Sequence, residues 1–116
     1  MKRFDATRVG VCQGSHMLFS DFIDDGPMWT GTGPREHRRE VAFEDAFSDP
    51  PAVHVSMSMW DSDSGSNQRM DIAAEKITEK GFELVFRTWG DSRVARVRAA
   101  WMAVGPMAHD DDWNLY

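Results

Sequence analysis

The sequence predicts an all-β fold, a six-stranded antiparallel β-sandwich forming one domain over residues 1–116. Three observations predict it. From Arg39 onward, apolar and polar residues alternate with period two between Gly and Pro punctuation, the pattern of half-buried antiparallel strands. At 116 residues, 41% of them hydrophobic, the chain has the size of one domain that can bury a real core. No internal repeat or second domain is visible in it.

Residues 8–12 form a short first strand, with Gly10 inside it and Gln13-Gly14 after it. Residues 14–38 are punctuated by Gly, Pro and Asp around Leu18-Phe19, Phe22 and Met28-Trp29. They read as a long ordered loop, a kind of segment that usually carries function. Val41 and Phe43, extended by Phe47, alternate with Glu40, Ala42 and Glu44 until Asp49-Pro50-Pro51 turns the chain. Val53, Val55, Met57 and Met59 then share one strand face, with His54, Ser56, Ser58 and Trp60 on the other.

Residues 69–77 alternate through Met70, Ile72 and Ala74. Ala73-Ala74-Glu75-Lys76 would also suit a short helix, and the strands on either side decide for strand. After Lys80-Gly81, Phe82, Leu84 and Phe86 alternate with Glu83, Val85, Arg87 and Trp89. Ala95, Val97, Ala99, Trp101 and Ala103 alternate with Arg96, Arg98, Ala100 and Met102, and Gly105-Pro106 closes the last strand. Residues 106–116, with Asp110, Asp111, Asp112, Trp113 and Tyr116, read as a solvated C-terminal tail.

Composition narrows the function. Thirteen Lys+Arg against 19 Asp+Glu give a net charge of −6, the wrong footprint for general phosphate-backbone binding, so no nucleic acid partner is expected. No apolar run approaches the ~20 residues that cross a bilayer, so no membrane insertion is expected. Met1-Lys2-Arg3 is followed by Phe4-Asp5-Ala6-Thr7-Arg8 rather than an apolar stretch, which is not how a secretory signal begins. A cytoplasmic chain, or one released by another route to act at a cell surface, is the expectation. Cys12 is the single cysteine and reads as a reduced structural thiol.

Candidates for catalysis are sparse. His16, His37, His54 and His109 show no metal-ligand spacing, so neither a metal nor another cofactor is expected. Asp61, Asp63 and Asn67 resemble a calcium loop, yet the loop glycine and closing glutamate are missing and an ordinary turn is preferred. No serine occupies a nucleophile elbow, and carboxylates such as Asp24-Asp25 lack a partner that would split their pKa values. The chain reads as a binding protein, not an enzyme.

Aromatic placement says what could be bound. Trp89 has the opposite parity to Phe82, Leu84 and Phe86, so it emerges on the outer face at a strand end. Arg69 has the opposite parity to Met70 and Ile72, beside the polar loop 61–68. A sugar needs such a pair: an aromatic face against its C–H patch and a planar charged group for its hydroxyls. The alternative is an edge tryptophan under a loop, with Arg69 paired to Asp71 or Asp61. A second outward set, Arg87, Arg93, Arg96 and Arg98, reads as cross-strand partners for Glu83, Asp71 and Glu75, or as a contact for a neighbouring chain or an acidic polysaccharide. Outward Val85, Val94 and Met102 would expose more apolar surface than a monomer usually does, which predicts a closed trimer.

The chain also resembles the H-type lectin family, the domain of snail agglutinins and of the C-terminal part of the slime-mould discoidins. The resemblance covers residues 39–105. It rests on Pro50-Pro51-Ala52-Val53, on Trp60-Asp61 leading to Asn67-Gln68-Arg69, on Ile77-Thr78 before Gly81-Phe82, on Thr88-Trp89, and on Ala100-Trp101-Met102-Ala103. It implies a six-stranded sandwich, a homotrimer, and metal-free binding of galactose-type sugars, N-acetylgalactosamine above all, in clefts between protomers. The family's sugar contacts carry over to Arg69, Trp89 and the residue after it, here Gly90 where snail members have a histidine. A Gly-x-Asp segment supplies their carboxylate. Here the loop reads Gly31-Thr32-Gly33-Pro34-Arg35-Glu36, so Gly33 is in place while Glu36 or Asp91 must stand in for the aspartate. Those members also tie down the first strand with a disulfide, whereas here Cys12 lies near the matching place and Phe86 stands where its partner would be. The resemblance leaves a second reading open, a trimeric assembly domain of a fibre, spike or virus-like particle whose sugar site has decayed.

Overall fold

The computed structural model describes residues 1–108, so most of the expected C-terminal tail, and His109 with it, lies outside the described residues. Six strands, β1 (Val9–Ser20), β2 (Arg35–Ala42), β3 (Ala52–Ser62), β4 (Met70–Glu75), β5 (Gly81–Thr88) and β6 (Val94–Pro106), form two three-stranded sheets. One has the order β1-β6-β3 and the other β2-β5-β4, and every pairing is antiparallel. Two helical turns, α1 (Asp21–Asp24) and α2 (Pro27–Thr30), sit between β1 and β2. The expected sandwich is what forms.

Alternation sets the core because a strand turns successive side chains to opposite faces. Phe82, Leu84 and Phe86 on β5 face Val97, Ala99, Trp101 and Ala103 on β6, all of them buried. Phe43, Phe47, Phe82 and Trp101 make an aromatic cluster across the two sheets, with ring centroids 5.1–5.9 Å apart. Each such side chain contributes about 1.5–3 kcal/mol on leaving water. The free thiol of Cys12 packs half-buried against this core.

Three expectations need correction. The segment 14–38 is not one loop: β1 continues to Ser20, two helical turns follow, and β2 starts at Arg35. Phe47 is buried in the β2–β3 connection and is not part of a strand. Val85 and Val94 are fully buried, so of the three outward apolar residues only Met102, 42% exposed, lies open. Val85 has outer parity, but Arg38, Glu75, Glu83, Arg87 and Glu36 close over it as an ion-paired lattice. In β3 the expected alternation holds, with Val53, Val55, Met57 and Met59 on the more buried side and His54, Ser56, Ser58 and Trp60 exposed, although a bulge between Met57 and Met59 shifts the pairing with β6.

The connections gather at two ends. One end holds the β2–β3 and β4–β5 connections, where Phe43 and Phe47 donate backbone N–H bonds to the carbonyls of Lys80 and Glu79. The other holds the β1–β2, β3–β4 and β5–β6 connections, tied by Gly33 N–H to Gly90 O and Asp63 N–H to Arg93 O.

Candidate functional site

Arg69 and Trp89 lie at this second end. Met70 pairs with Thr88, so the two residues are the next ones out along neighbouring strands on the outer side of the β2-β5-β4 sheet. Trp89 is 42% exposed. Just beyond it, Gly90 turns the chain with φ +68°, a left-handed conformation that costs glycine nothing.

Local hydrogen bonds fix the arrangement. The Thr88 hydroxyl donates to the Arg69 carbonyl at 2.6 Å, and the Arg69 N–H donates to Ser92 Oγ at 2.9 Å. The hydroxyl of Ser92, fully buried, donates in turn to Asn67 O at 2.5 Å. The Arg69 side chain then reaches Asp91, Nη1 to Oδ1 at 2.8 Å, while Asn67 donates through both its backbone and its amide to the same carboxylate. Those Asn67 bonds, with the Arg69 charge behind them, hold the Asp91 carboxyl below the usual range, so it stays ionised.

The other flank is pinned by Arg35. Its guanidinium donates to Gly33 O, Pro27 O, Met28 O and Gly90 O, and burial lowers its pKa. Gly33, with φ +75°, has open space around its Cα. Arg69, Asp91, Trp89, Gly90 and Gly33 are therefore brought together. Glu36 is not part of that cluster: it stands opposite Arg87, bonded to Arg38 and Arg87, and its carboxyl is held low by Arg38 first.

Neither expected pairing of Arg69 occurs, because Asp91 takes it in place of Asp71 or Asp61. The four-arginine set does not gather either. Arg87 pairs with Glu75 and Glu36, Arg93 lies over Trp29 at 4.2 Å, Arg96 meets Asp61, and Arg98 bonds Ser58. Sequence reasoning missed Ser92, Arg35 and the role of Asn67. Their bonds join loops distant in sequence, so only the folded arrangement displays them. Among the described residues, no group of three or more His, Cys, Asp or Glu could hold a metal ion.

The site is open, with the Arg69 side chain as exposed as Trp89. The larger hollows lie elsewhere, one of about 430 Å³ between Val9, Val11, Glu44, Phe47 and Met107 at the far end of the sandwich.

The antiparallel sandwich of two three-stranded sheets carries Trp89, Arg69 and Asp91 together at one end. The H-type lectin domain family is matched over residues 38–104. The chain belongs to that family, and so to the carbohydrate-binding lectins in general. It is 59% identical over 107 residues to a Fuscovulum blasticum protein described as ATP synthase subunits region ORF 7, covering 92% of this chain and 93% of that one. It is 35% identical over 83 residues to Discoidin-2 of Dictyostelium discoideum, covering 71% of this chain and 32% of that one. The structure of recombinant discoidin II from the same organism superposes with a TM-score of 0.74 at 26% identity, over 90% of this chain and 40% of that one. The chain thus spans about a third of the length of the discoidin sequence it matches.

Proposed function

We propose that the chain is a non-enzymatic glycan receptor that binds one sugar residue at the Trp89–Arg69 shelf and assembles as a homotrimer with that shelf at the protomer boundary. The observation that carries the reading is Arg69 locked to Asp91 beside the exposed Trp89: a planar donor, a carboxylate acceptor and a ring face on one rigid turn. Galactose-type sugars offer the matching chemistry, an apolar C–H face opposite vicinal hydroxyls. Gly90 brings no side chain to the ligand, so the site contributes fewer contacts than a histidine there would supply. Weak single sites become useful when several are presented on one scaffold.

A glycan array on the purified protein tests this. Galactose-type ligands should be retained, and Trp89→Ala should abolish the signal while leaving the melting temperature in place. An array blank for neutral and acidic glycans alike would overturn it and favour the assembly domain of a fibre, spike or virus-like particle.

A further inference from the structure

On the opposite outer face, Ser20 of β1, Arg96 of β6 and Asp61 of β3 lie in one row across the β1-β6-β3 sheet. With Ala95, Phe22 and Ile23 they line a hollow of about 240 Å³. That is below the size of pockets for drug-sized ligands and suits a single ring. Arg96 Nε donates to Asp61 Oδ2 at 3.3 Å. Among the described residues, the η nitrogens of Arg96 and the Oδ1 of Asp61 have no protein hydrogen bond and remain available to a ligand.

The apolar wall is exposed and yet held in place. Phe22 is 59% and Ile23 77% exposed. Neither anchors the helical turns: the buried Met28 does, together with the bond from its N–H to Asp21 Oδ2 at 2.9 Å. The Phe22 ring stands edge-on to Trp29 at 5.1 Å, and Arg93 clamps Trp29 from above while donating to its carbonyl at 3.1 Å. Phe22 and Ile23 thus give the hollow an exposed apolar wall beside the Arg96–Asp61 pair, the combination of apolar lining and a few polar groups that small-ligand sites use.

We propose that this hollow is a second glycan-binding site, taking one pyranose against Phe22 and Ile23 with its hydroxyls on Arg96 and Asp61. It shares with the first reading the premise of a carbohydrate ligand but uses none of the same residues. The two sites lie on opposite faces of the sandwich, so one protomer can bridge two glycan chains.

The test is amide chemical-shift mapping during titration with galactose, N-acetylgalactosamine and glucuronic acid. At least one sugar should move the amides of residues 20–23 and 95–96, and the shifts should persist in Trp89→Ala. Phe22→Ser and Arg96→Gln should each weaken that response at least tenfold while leaving any response near residue 89 in place. Because Phe22 is exposed, Phe22→Ser should melt with the wild type. If none of the sugars moves these amides, or if Phe22→Ser changes sedimentation and leaves the shifts unaltered, the hollow is not a sugar site. Loss of both responses in Trp89→Ala would merge it with the first site and overturn its independence.

Discussion

Arg69 is bound twice through its backbone and once through its side chain, and truncation removes only the last. Arg69→Ala should therefore lose about 1–3 kcal/mol of glycan binding, read by calorimetry, because a sugar hydroxyl left without its donor keeps its desolvation cost. Thermal melts should shift by no more than a few degrees, since an exposed ion pair contributes little to stability. Trp89→Ala should behave alike through loss of the ring face. Gly90 separates conformation from contact. A Cβ there would lie 3.5 Å from Arg69 Cδ and Nη1, ordinary spacing, so the penalty is the positive φ. Gly90→Val should destabilise by about 1–2 kcal/mol in urea titrations and Gly90→Asn by much less, because Asn tolerates that region.

His16 sets a pH dependence. Its Nε2 accepts the Trp101 indole proton at 3.0 Å, so the fold needs it neutral, and burial first, with Arg39 second, pushes its pKa below the ordinary value. His37 shifts the same way, again chiefly by burial. Both are histidines with a depressed folded pKa, so the unfolded chain binds more protons as pH falls. Stability should be full above the unfolded value near ~6.5 and should decline as pH drops through the lowered folded values. Denaturant midpoints measured from pH 8 to 4 check this, and His16→Gln, whose amide oxygen can accept the same proton, should flatten part of the slope.

At the scale of elements, what alternation revealed and what it hid have one cause. β3, β5 and β6 carry their own inner bulk, so Val53, Leu84 and Val97 announce their strands. The inner side of β1 is Cys12, Gly14 and His16, because the space opposite is filled by Trp101, the register partner of Gly14. A strand whose partner supplies the bulk shows little hydrophobic period, and so the second half of β1 reads as loop. The site divides the same way. Arg69 and Trp89 are legible as outward residues at strand ends, while the Asn67–Asp91–Ser92 bonds depend on two loops meeting. Gly81 opens β5 where a Cβ would run into Val41 O, a backbone atom that cannot yield without opening the β2–β5 pair. Gly81→Ala should therefore cost about 1–3 kcal/mol in equilibrium unfolding, as overpacking does.

At the scale of the whole molecule, the sandwich offers two outer faces for assembly, and they differ in chemistry. The β1-β6-β3 face exposes Val9, Val11, Met17 and Met102. The β2-β5-β4 face carries the Arg38, Glu36, Glu75, Glu83 and Arg87 lattice, and the Trp89–Arg69 shelf stands at its end. Contact through the second face would put the shelf at a protomer boundary, so the proposed trimer closes there, around charged groups whose geometry selects the partner's orientation. Sedimentation equilibrium should then give a trimer at micromolar concentration. Arg38→Glu should shift it toward monomer by setting a fourth carboxylate among Glu36, Glu75 and Glu83, and circular dichroism should confirm that the strands persist. Met102→Lys should leave the trimer intact. The opposite outcome, dissociation by Met102→Lys with Arg38→Glu unaffected, would move the contact to the apolar face and leave Trp89 and Arg69 as a site complete within one protomer. A monomer for the wild type would remove the inter-protomer cleft altogether.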